Sequence, residues 1–92
     1  MIASFKCKET SLLFQGRGSV RWAAIRSVAE RKLQMLNRAT MVNDLRVPPN
    51  NRLELLKGDR KGQYSIRIND QWRICFKFKD GNAFDVEIID YH

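Results

Sequence analysis

The chain changes its hydrophobic period half-way along. Up to about residue 46, apolar side chains recur every three or four positions; from Arg52 onward they recur every second one. Residues 2–7 form a short mixed apolar segment that reads as a strand. Residues 9–15 carry Leu12, Leu13 and Phe14 and read as a short helix stopped by Gly16 and Gly18. Ser19 then stands as N-cap of the longest periodic stretch, residues 20–37. Trp22, Ile25, Val28, Ala29, Leu33 and Leu36 make one apolar stripe there, with Arg21, Arg26, Glu30, Arg31 and Lys32 largely off it. Residues 40–46 hold one further helical turn, ended by Pro48 and Pro49.

In the second half, Leu53 and Leu55 alternate with Arg52 and Glu54, and Tyr64, Ile66 and Ile68 with Ser65 and Arg67. Trp72, Ile74, Phe76 and Phe78 alternate with Arg73, Cys75, Lys77 and Lys79, and Phe84, Val86 and Ile88 with Asp85 and Glu87. Asn69-Asp70 and Asp80-Gly81-Asn82 sit where hairpin turns belong. Late strands joined by short turns must be antiparallel, with one face covered by the helices. The pattern predicts an α+β fold: two N-terminal helices packed on a small, twisted, mainly antiparallel sheet.

Length and composition narrow this picture. Ninety-two residues leave room for one domain, residues 1–92. No apolar run approaches the ~20 residues of a membrane span, and Lys6, Lys8 and Glu9 interrupt the N-terminus before a signal-peptide core develops. Cys7 and Cys75 have neither the number for a disulfide framework nor the spacing for zinc, so a reduced cytoplasmic protein is expected. Seventeen Lys and Arg against ten Asp and Glu give a net charge of +7, which favours a polyanionic partner.

The alternation places that charge. If the apolar positions face the helices, the opposite face presents Arg67, Arg73, Cys75, Lys77 and Lys79, joined by Lys57, Arg60 and Lys61 from the preceding loop. Such a row suits a phosphate backbone, although a merely solvated face also carries Lys and Arg. No acidic residue takes an outward position on the 72–79 strand. The chain closes on Asp90-Tyr91-His92, and His92 is its one histidine. RNA cleavage needs a base for the 2′-OH, cations for the crowded phosphorane and an acid for the leaving 5′-oxygen. A histidine, a tyrosine and several Arg and Lys suffice without metal or cofactor; spacing alone leaves an inert, frayed terminus open as well. Trp22 and Trp72 belong to the core, Cys75 reads as an inert thiol, and Gly16-Arg17-Gly18 is a linker turn rather than a dinucleotide site. Asp85, Glu87 and Asp90 lack the second ligand cluster that a metal needs.

A longer set of residues carries a resemblance. Met1-Ile2 with Phe5-Lys6, Arg52-Leu53, Leu56-Lys57-Gly58-Asp59, Lys61-Gly62, Tyr64-Ser65, Asn69, Trp72-Arg73-Ile74, Phe76, Phe78, Asp80-Gly81, Asp85-Val86 and Asp90-Tyr91-His92 together resemble the HigB branch of the RelE toxin superfamily. The resemblance implies the killer half of a bacterial type II toxin–antitoxin pair, an endoribonuclease that enters the ribosomal A site and cuts translated mRNA. By position, Lys57 would hold the scissile phosphate and Arg73 would stabilise the transition state. His92 would be the general acid or base, Tyr91 would orient the nucleotide, and Asp90 would support one of them. Lys61, Arg67, Arg60, Lys77 and Lys79 would serve RNA or ribosome binding. Many relatives carry a histidine where this chain has Glu54; a carboxylate beside a phosphate would need a neighbouring cation. The implied partner is a helix-turn-helix antitoxin of the HigA type, through which alone operator DNA would be bound. A gyrase-poisoning toxin of the ParE type, and a non-enzymatic basic nucleic-acid-binding module, are the alternatives.

Overall fold

The alternating half of the chain builds the sheet. A computed structural model describes residues 1–18 and 20–91, so the expected N-cap Ser19 and the terminal His92 lie outside the described residues. Strands β1 (Glu54–Leu55), β2 (Tyr64–Arg67), β3 (Trp72–Lys79) and β4 (Asn82–Asp90) form one antiparallel sheet in the order β1-β2-β3-β4. Asp80 and Gly81 join β3 to β4 with positive φ at both positions, 52° and 80°, the geometry whose twist suits a two-residue hairpin. Helices α1 (Lys8–Phe14) and α2 (Arg26–Arg38) cover one face. Leu13, Ala29, Leu33 and Leu36 meet Ile66, Ile74, Phe76, Val86 and Ile88 in one buried cluster.

The N-terminal segment seals the outer edge of β4. Residues 2–7 make only isolated parallel bridges, Ile2 with Ala83 and Phe5 with Val86, rather than the expected strand. The backbone N–H of Ala83 donates to Met1 and that of Val86 to Ser4, at 2.9 and 3.1 Å. The Asp85 and Ile88 amides donate to the hydroxyls of Ser4 and buried Thr10. Each N–H that β4 turns outward over this stretch therefore has an acceptor.

Three departures from the hydrophobic pattern have visible causes. The stretch expected as one helix, residues 20–37, is instead a 3₁₀ turn, Val20–Ile25, followed by α2. The break falls at Trp22, which leaves helical geometry (φ −114°, ψ 21°) to bury its ring edge-on against Trp72. Packing of a large aromatic overrides local propensity there. Arg26 then folds back to donate to the Gly16 carbonyl, so close to Gly18 that a Cβ would stand 2.7 Å from it. Lys32 is a second departure, since it is buried and its ammonium donates to Asn51, whose amide donates in turn to the Leu45 carbonyl. Burial, with Arg31 and Arg67 nearby, holds its pKa below the ordinary lysine value.

The third departure lies in β4. Cys75 pairs with Glu87 and Lys77 with Phe84, so Asp85 and Val86 together oppose Phe76. Asp85 takes up the extra residue at φ 53°. This bulge flips the alternation: Ala83, not Phe84, shares the inner face with Val86 and Ile88. The expected helical turn at 40–46 is a shorter 3₁₀ turn, Val42–Arg46, opened by Asp44, whose carboxylate accepts the Thr40 and Met41 amides.

Candidate active site

The face of the sheet away from the helices is not an open row of cations. Arg73 and Cys75, expected on a solvated surface, are 7% and 0% exposed. Carboxylates reach the other cations from β4 and from turns. Arg60 donates to Glu87 at 3.1 Å and Lys6 stands 3.7 Å from the same carboxylate. Lys77 lies 3.5 Å from Asp85, and Arg67 pairs with Asp70. The acid-free pattern along β3 holds, but the acids sit across the ladder, where a single-strand reading does not look. Among the predicted cations, Lys57, Lys61 and Lys79 are exposed, with no ion pair formed among the described residues.

Arg73 is the most tightly held of these side chains. Its Nε donates to the Ser65 hydroxyl at 2.8 Å, from the facing strand β2. One terminal nitrogen donates to the Arg52 carbonyl at 2.6 Å, a group aimed by the left-handed backbone of Arg52 (φ 45°). The other lies 3.9 Å from the carboxylate of Glu54 on β1. The guanidinium carbon stands 5.4 Å from the ring centre of Tyr91, just past the end of β4. Strand register explains the meeting: Arg73 pairs with Ile89, so Tyr91, two residues on, falls on the same face.

Asp90 pairs with Trp72 and therefore belongs to the helix side of that edge, where its carboxylate accepts the Gln71 amide at 3.1 Å. The Tyr91 amide donates to the Gln71 carbonyl at 2.7 Å, which ties the terminal motif to the start of β3. Arg73, Tyr91 and Glu54 are thus brought together with Ser65 and Arg52, two partners that no sequence pattern singled out. Lys57 and Lys61 line a groove of about 460 Å³ with Leu55, Leu56, Gly58 and Gly62, a lining that includes neither Arg73 nor Tyr91.

Cys75 is fully buried on the strand that carries Arg73. Burial pushes its thiol up from 9.0 to about 11, with Glu87 adding to the shift and Arg60 and Arg73 opposing it. At pH 8 the smaller thiolate fraction alone slows alkylation by about 100-fold relative to an ordinary thiol. Native protein treated with iodoacetamide at that pH is expected to label at half-buried Cys7, with Cys75 labelling only after denaturation. Equal labelling of both, read by mass spectrometry, would contradict the buried setting.

The chain as a whole matches a known family. The model of the RelE-like toxin of type II toxin–antitoxin system HigB matches residues 5–92, through the terminal Asp90-Tyr91-His92. The chain belongs to the HigB-like toxin family. Endoribonuclease HigB of Proteus vulgaris is 38% identical over 98 residues, covering the whole of both chains. Toxin HigB-1 of Vibrio cholerae is 44% identical over 70 residues, 76% of this chain and 73% of that protein. The HigB-like fold is also that of YafQ from E. coli strain BL21(DE3), with a TM-score of 0.63 and 14% identity over 98% of this chain and 93% of that one. The YoeB toxin–antitoxin complex with YefM from Staphylococcus aureus gives a TM-score of 0.61 at 20% identity, over 100% and 98% of the two chains. The likeness to both is one of fold, here two helices on a four-stranded antiparallel sheet.

Proposed function

We propose that this HigB-like toxin is an endoribonuclease that cuts translated mRNA in the ribosomal A site, acting as one domain over residues 1–92. The carrying observation is the near-buried Arg73, held by Ser65 and Arg52 beneath Tyr91, just past the end of β4. A guanidinium has five N–H donors. Two are used here to fix its plane, which leaves three for a phosphate, with the charge partly shared with Glu54 at 3.9 Å. A cation fixed before the substrate arrives stabilises developing phosphorane charge without reorganising.

In the reaction the 2′-oxygen attacks phosphorus as a base removes its proton. The 5′-oxygen leaves with a proton from an acid, giving a 2′,3′-cyclic phosphate and a 5′-hydroxyl. His92 supplies one of these proton transfers, Tyr91 orients the nucleotide and Asp90 supports the terminal motif. Glu54 meets the condition set for a carboxylate at its position, a cation nearby, because Arg73 is 3.9 Å away. Lys57 engages a phosphate and Lys61 the flanking strand. Arg60, Arg67, Lys77 and Lys79 contribute general attraction, reduced at Arg60, Arg67 and Lys77 by their carboxylate partners.

The toxin works in the bacterial cytoplasm opposite a HigA-type helix-turn-helix antitoxin, which carries any operator binding. No helix among the described residues is long and apolar enough to cross a membrane. Mapping 5′ ends of a defined mRNA, with and without translating ribosomes, tests the reading. Cuts confined to the ribosome reaction and in codon register are expected. Cuts on naked RNA would remove the ribosome from the mechanism, and intact RNA in both reactions would shift the target to gyrase.

A further inference from the structure

The sheet has one sealed edge and one open edge. β4 is closed by the N-terminal segment, whereas among the described residues β1 pairs only with β2, and both of its residues are exposed. The Leu56 amide donates to Gln63 at 2.8 Å, so by antiparallel alternation Leu55 turns its own N–H and C=O away from β2, toward the open side. Leu55 was expected at an inward apolar position of its strand; its side chain is instead 61% exposed. Beside it lies the groove of about 460 Å³, with Leu55 and Leu56 as its aliphatic part and Lys57 and Lys61 among its lining. Asp59, on the same turn, does not line it.

We propose that this edge and groove are the docking site of an extended, acidic and apolar segment of the antitoxin. The segment adds a strand to β1, seats an aliphatic side chain against Leu55 and Leu56, and brings carboxylates to Lys57 and Lys61. The inference rests on the toxin–antitoxin reading given above. Three observations select a peptide. The open edge offers a backbone donor and acceptor in register, the requirement for strand addition. The lysines have no ion pair among the described residues in a chain of net charge +7, which complements an acidic partner. Among the described residues the groove is lined by leucines, lysines and glycines, with no aromatic ring on which a nucleobase would stack. Docking here would occupy Lys57 and Lys61 and silence the toxin by denying RNA their charge.

The probe is the antitoxin of the toxin's own operon, purified apart from it. Leu55→Pro removes the outward N–H without touching the ladder to β2, since proline is tolerated on the free side of an edge strand. Leu55→Glu keeps the N–H and sets a like charge against the acidic segment. Each variant is expected to weaken antitoxin binding at least tenfold with wild-type circular dichroism, and Leu55→Pro, which adds no charge beside Lys57 and Lys61, is expected to retain RNA cleavage as well. In the wild-type complex, amide exchange at Leu55 should slow. Unchanged affinity in both variants with no protection at Leu55 overturns the proposal. So does impaired RNA cleavage with unchanged antitoxin affinity, which would give the groove to RNA. Affinity and exchange do not depend on cleavage, so a toxin that cuts nothing overturns the function above while this docking site is still decided.

Discussion

Replacing Arg73 with lysine should lower the rate of RNA cleavage by about 10²–10³-fold, with substrate affinity changed far less. The expectation follows from what the guanidinium does at once. It donates to Ser65 and Arg52, lies against Tyr91 and retains donors for a phosphate. An ammonium is a point charge and has no planar array with which to satisfy these partners together. Losing one preorganised donor at a developing oxyanion costs about 10²–10³ in rate. The fold should survive, because lysine can still reach one acceptor; alanine would strand both, at about 1–3 kcal/mol for each buried group left unpaired. Ser65→Ala keeps the charge and frees only its direction, so a smaller loss in kcat is expected, recovered in Ser65→Thr. Single-turnover cleavage with circular dichroism on each variant decides the matter. A folded Arg73→Lys protein within threefold of wild type would reduce Arg73 to a structural role.

His92→Gln should slow cleavage by about 10²–10⁴-fold, the range for a positioned acid or base, and relieve growth arrest in cells. Glutamine retains hydrogen bonding and loses proton transfer. A substrate whose leaving 5′-oxygen is replaced by sulfur separates the two roles, because the thiolate departs without protonation. If His92 is the acid, the variant regains most of its rate on that substrate. If it is the base, the deficit persists, and the acid must then be sought elsewhere. A folded variant that cuts at the wild-type rate on ordinary RNA would remove His92 from the chemistry. Tyr91→Ala should also relieve toxicity, since it uncovers Arg73 and removes the ring proposed to orient the nucleotide.

Much of this architecture was legible in the sequence because period and turn chemistry are local. The change from period 3.6 to period 2 located the helices and the sheet. Asp80-Gly81 announced a hairpin, which the backbone forms with both residues at positive φ. What escaped was set by contacts distant in the chain. Trp22 breaks its helix because Trp72, fifty positions away, offers a packing partner. The bulge at Asp85 shows only as an aspartate between two apolar residues, so the face of Phe84 was misplaced.

The candidate site divides along the same line. The residue types of the terminal motif and of Arg73 were readable, but their surroundings were not. Burial of Arg73 depends on Ser65, an ordinary polar position of an alternating strand, and on one carbonyl aimed by the unusual backbone of Arg52. The neutralising acids on β4 and in turns became visible only once register set Glu87 beside Cys75. Lys32 looked like part of a solvated helix face, yet it is buried because Asn51, nineteen positions on, accepts a hydrogen bond from its ammonium.

The unequal edges of the sheet also constrain how this molecule meets copies of itself. A fibre grows when each subunit offers an acceptor edge and a donor edge, so that every addition regenerates a free end. Here the N-terminal segment has taken the β4 side, and two exposed residues are all that remain on the other. Two molecules pairing through β1 would use up their only open edges and stop as a closed pair. A chain with Met1–Lys6 removed would expose β4 as well and regain the second end. The N-terminal segment, which packs Ile2 and Phe5 against the core, is thus also what keeps association of this toxin finite.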